Sequence, residues 1–116
     1  MRKILGAAAI AAAALVAVAP SASAQSLSDA DFFGLLQQKN TSWAALPNSA
    51  DMISAIGDGA RDLCTSLDGS PNRSMLNSWI GGFQGEMKEY LSLEDVGFYA
   101  GAAIMNYCPS HENLTR

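Results

Sequence analysis

Histidine occurs once in this chain, as His111, and cysteine twice, as Cys64 and Cys108. That falls short of the four-ligand set of a structural zinc site, although Cys108-Pro-Ser-His111 has the spacing of a ligand pair. No metal and no cofactor is expected. There is no C-x-x-C pair for dithiol redox work. No serine lies in a G-x-S-x-G elbow, and no G-x-x-x-x-G-K-[ST] loop is present to cradle a phosphate. Carboxylate pairs such as Glu86 with Glu89, or Glu94 with Asp95, fall at helix starts or on solvated faces, where capping and solubility account for them. The chain therefore reads as non-enzymatic. Strand-type alternation is also missing, which excludes a sheet.

Long apolar runs are confined to the beginning. Arg2 and Lys3 precede the uncharged stretch Ile4 to Ala19, Pro20 ends it, and Ala22-Ser23-Ala24 offers small side chains for cleavage. This is the pattern of a secretory leader. The apolar stretch is shorter than the ~20 residues of a spanning helix, so no membrane span is expected after cleavage at Ala24. Residues 1–24 are thus read as leader, 25–109 as one domain and 110–116 as a flexible polar tail. The protein is expected outside the cell or in its envelope.

Positive charge is scarce as well. Without Arg2 and Lys3, five basic residues face all eleven acidic ones, a formal charge of −6. Nucleic acid and anionic membrane surfaces both need a basic footprint, and neither is an expected partner.

What is present is helical patterning. Ser28 with Asp31, and Ser92 with Asp95, have the spacing of helix caps, with Leu27 and Leu91 placed to staple against Phe32 and Val96. Phe32, Leu35 and Leu36 share a face of the first predicted helix. Met52, Ile56, Ala60, Leu63 and Leu67 form the stripe of a second, expected to start at Asn48. Pro71 is placed to open a third, carrying Met75, Leu76, Trp79 and Ile80, with Gly81, Gly82 and Gly85 expected to interrupt it. Val96, Tyr99, Ala100, Ala103, Ile104 and Tyr107 mark the last, ended by Pro109. Its Gly97-x-x-x-Gly101 reads as a smooth face for close packing. The predicted fold is all-α, a small bundle of about four helices stapled by one disulfide.

An exported chain with an even thiol count points to a Cys64–Cys108 disulfide. Closed within one chain, it would stabilise by about 4 kcal/mol on the loop-entropy model; a bridge between two chains would use the same residues. The aromatic residues carry the best ligand argument. Trp43, Trp79, Tyr90, Tyr99 and Tyr107 could line an apolar groove, or ligate haem through a tyrosine oxygen, with Trp43, Trp79 and Tyr99 the foremost candidates for contact. Core packing is the competing account for Trp79 and Tyr99, which lie on helical stripes. Trp43 lies in the polar connection 40–47, outside any stripe.

The chain resembles the small secreted actinobacterial, chiefly mycobacterial, family called domain of unknown function 732 (DUF732). The resemblance rests on Asp29-x-x-Phe32 with Leu36, on Cys64-x-x-Leu67-x-Gly69, and on Tyr99 followed by Ala103-Ile104-x-x-Tyr107-Cys108-Pro109. Residues 40–47 and 81–90 depart from that pattern. The resemblance implies a small secreted helical domain with a disulfide and implies no activity. The expectation is a binding or interaction protein with an envelope or extracellular partner. The alternative is a carrier of haem or another small apolar ligand.

Overall fold

Each of the five α-helices among the described residues begins on a serine or asparagine whose side-chain oxygen accepts a backbone N–H. Such a cap satisfies one of the donors that a helix start leaves open and contributes about 1 kcal/mol. The computed structural model describes residues 26–115; the expected leader and its cleavage site at Ala24 lie outside them. The helices are α1 (Asp29–Lys39), α2 (Thr41–Ala44), α3 (Ala50–Gly69), α4 (Arg73–Glu86) and α5 (Leu93–Tyr107). A 3-10 helix, Pro109–Thr115, follows them. The fold is all-α, with Cys64 and Cys108 bridged and their Cα atoms 5.9 Å apart.

The caps at Ser28 and Ser92 stand where the sequence places them, and Ser92 with Asp95 closes a reciprocal capping box. The start of α3 lies one residue further on than the sequence suggests. Ser49, not Asn48, accepts the Met52 N–H at 3.2 Å. Likewise Asn72, not Pro71, sets the start of α4, by accepting the Met75 N–H at 2.8 Å. The expected interruption of that helix does not occur, and α4 runs unbroken through Gly81, Gly82 and Gly85.

Helix α5 is the spine, packing against α1, α3, α4 and the 3-10 helix. Its buried face carries Val96, Tyr99, Ala100, Ala103, Ile104 and Tyr107. The α3 stripe meets it with Ile56, Ala60, Leu63 and Leu67, while Met52 is half-buried. On α1, Phe33 joins Phe32 and Leu36 in the core. Close packing on α5 is made by Ala100 and Ala103. A Cβ at Gly97 or Gly101 would meet nothing within 4 Å, so the glycine pair does not serve that purpose.

Two further expectations are corrected. Residues 40–47 are not only a polar connection: Asn40 caps the single turn α2, which turns Trp43 fully into the core. Residues 110–115, expected as part of a flexible tail, lie in the 3-10 helix instead. Leu114 buries there, and His111 Nε2 lies 2.8 Å from Asp68 Oδ1 on α3.

Candidate functional site

On α3, Met52, Ile56, Gly59 and Asp62 recur at three- and four-residue steps and so share one face. On α4, Trp79, Phe83 and Glu86 do the same. The two helices form a hairpin joined by the short turn 70–72, and these faces flank a groove of about 620 Å³. That volume lies in the range of small-molecule sites. Its wall on the α4 side is aromatic. The Trp79 and Phe83 rings stack at 5.2 Å with 18° between planes. Trp79 Nε1 donates to Asp62 Oδ2 across the groove at 3.0 Å, fixing the indole.

Beneath that wall lies Tyr99, whose ring centroid is 5.0 Å from Phe83 and 5.8 Å from Trp79. Its hydroxyl donates to the Ile56 carbonyl at 2.6 Å. This approach requires Gly59, because a Cβ there would stand 2.6 Å from the hydroxyl oxygen. Burial pushes the Tyr99 hydroxyl well above the ordinary tyrosine pKa. Trp43 lies one layer deeper, 5.0 Å from Tyr99, and its Nε1 donates to the Asp95 carbonyl at 3.1 Å.

The three aromatics singled out from the sequence therefore form one cluster, but only Trp79 lines the groove. Tyr99 is its buried support, and Trp43 is core. Met52, Met87 and Phe83, which the sequence reading did not connect with Trp79, complete the apolar lining. Their signal was available in part, since Phe83 and Met87 continue the Trp79 face at four-residue steps.

A second polar cluster joins three helices. Arg61 on α3 grips Asp29 on α1 with two bonds of 3.0 Å and reaches Asp58 at 2.8 Å. The Tyr107 hydroxyl, from α5, donates to the same Asp29 carboxylate at 2.5 Å. Gly57 leaves room for this, as a Cβ would fall 2.3 Å from Asp29 Oδ2. The Arg61 guanidinium holds the Asp29 carboxyl below the usual carboxylate range; burial opposes that effect and the Tyr107 hydroxyl adds to it. Every member faces another member, so the cluster is a tie between helices. Asn106 provides another tie. Buried on α5, it accepts the Leu27 N–H at 2.7 Å and donates to the Leu27 carbonyl at 3.1 Å.

Fold and groove together define a small all-α domain with a disulfide and an apolar groove open to solvent. No family model, curated protein or solved structure matches this chain.

Proposed function

We propose that this is an exported, non-enzymatic binding domain of the DUF732 type that carries a small apolar ligand in the α3–α4 groove. The observation that carries the reading is the groove itself: Met52, Trp79, Phe83 and Met87 leave apolar surface open to solvent between two helices. Apolar concavities of this size, with few polar groups, are where small ligands bind. Export is supported by the Cys64–Cys108 bridge, a bond that persists in oxidising compartments. The residues behind the family resemblance have framework tasks here. Asp29 and Tyr107 tie α1 to α5, and Tyr99 supports the groove wall.

Haem is the weaker version of the carrier reading. The Tyr99 oxygen is committed to the Ile56 carbonyl and buried, the Tyr107 oxygen is committed to Asp29, and the exposed Tyr90 does not line the groove. No Soret shift is expected on adding haem.

The test is titration of the disulfide-intact protein with a neutral solvatochromic dye such as Nile red. A blue shift with saturable binding is expected. Gly82→Leu should abolish it, because Gly82 lines the groove and a Cβ there meets nothing within 4 Å, so the added side chain fills the groove without a backbone clash. Unchanged dye binding in a folded Gly82→Leu variant would refute the assignment.

A further inference from the structure

We infer that the ligand of this groove is a small amphiphilic amine, an apolar body bearing one cationic ammonium group; this rests on the groove reading above. The argument is charge complementarity on an apolar surface. The lining includes the carboxylates Asp58, Asp62 and Glu86 and no basic side chain. Asp58 is already matched by Arg61. Asp62 accepts one hydrogen bond, from the Trp79 indole, and a carboxylate has acceptor sites to spare. Asp62 is the lining residue of α3 closest to the α3–α4 turn and Glu86 is the last residue of α4, so an acidic group marks each end of the apolar stretch. Between them lies the stacked Trp79–Phe83 pair, whose ring faces attract a cation. An anionic head group would be repelled by Asp62 and Glu86, and a neutral one would gain nothing from the acids.

The volume argues for a small molecule rather than a polypeptide. About 620 Å³ holds a short alkyl or aryl body, whereas a docked helix needs a longer trough with several successive anchors. The absence of a side chain at Gly82 belongs to the same picture. A helix-interior glycine is unfavourable and no neighbour requires this one, yet its lack of a side chain keeps the groove open.

The experiment compares decylammonium, decanol and decanoate, each below its aggregation concentration, with the Trp79 indole N–H followed by NMR. Decylammonium should bind about tenfold more tightly than decanoate, with decanol between them, the size expected of partly exposed charge and ring contacts. Asp62→Asn keeps an oxygen for the Trp79 N–H while removing the charge. Combined with Glu86→Gln, it should bring the preference to within about twofold. Asp31→Asn, an exposed acid on α1 outside the groove, should leave the preference intact. Equal binding of all three probes overturns the amine assignment and leaves the apolar groove standing. Binding of none overturns both. An equal loss of preference in Asp31→Asn overturns the inference in favour of general acidity. Binding of a basic amphipathic peptide without binding of decylammonium overturns it in favour of a polypeptide.

Discussion

Two glycines facing the same groove are expected to respond in opposite directions to one added methyl group. Gly82→Ala introduces a Cβ into open space and removes a helix-interior glycine, so it should raise stability by about 0.5–1 kcal/mol. Gly59→Ala places a Cβ 2.6 Å from the Tyr99 oxygen, so the hydroxyl must leave the Ile56 carbonyl. Losing that buried bond should cost about 1–3 kcal/mol. Urea denaturation of both variants checks the pair, and a shared sign would contradict the geometry. Single residues are also where local pattern and packed structure diverge most. Gly81, Gly82 and Gly85 look like a break because intrinsic propensity counts against them. Packing of Trp79, Ile80 and Phe83 against the core outweighs it. Trp43 escaped as a core residue because α2 is a single turn, too short to show a period.

Among elements, the tie between α1, α3 and α5 makes stability depend on pH at both ends of the scale. The folded Asp29 carboxyl lies below its unfolded value, so its contribution is present above about pH 4 and is lost as pH falls through the folded value. Asp95 acts in the same sense, held low first by the Ser92 backbone N–H and then by Asn40. Tyr99 and Tyr107 have the opposite sign. Burial raises both, with the Asp29 bond adding to Tyr107, so their contribution is intact below about pH 10 and lost above it. Asp29→Asn should flatten the acid limb in part and Tyr99→Phe the alkaline limb, as read from Tm against pH by circular dichroism. Helix starts at Ser28 and Ser92 were legible in sequence because a cap is decided within four residues. The stripes of α3 and α5 were legible because one helix face repeats. The groove was not, since it exists only once two helices are set side by side, and neither face alone says what the other brings. The Asp29–Arg61–Tyr107 tie stayed hidden for the same reason, its members being 32 and 78 residues apart from Asp29.

For the whole molecule, the disulfide and the buried α5 face share the work of holding the helices together. Reducing Cys64–Cys108 should lower unfolding free energy by as much as about 4 kcal/mol, a large part of what a small domain possesses. Denaturant midpoints with and without reductant measure it, and an unchanged midpoint would show that the bridge is incidental to stability. The residues that clasp the fold are crowded into one short stretch. Asn106 holds Leu27, Tyr107 holds Asp29 and Cys108 holds Cys64, across separations of 79, 78 and 44 residues. A chain made from its N-terminus therefore has α1, α3 and α4 in hand, joined by exposed contacts such as Arg61–Asp29 and Trp79–Asp62, before the fastenings to the end of α5 arrive. Three neighbouring residues near the end act as the zipper-pull of the domain. Until they emerge the earlier helices are marginal on their own, and once they do, both sides of the structure can close in a single late step.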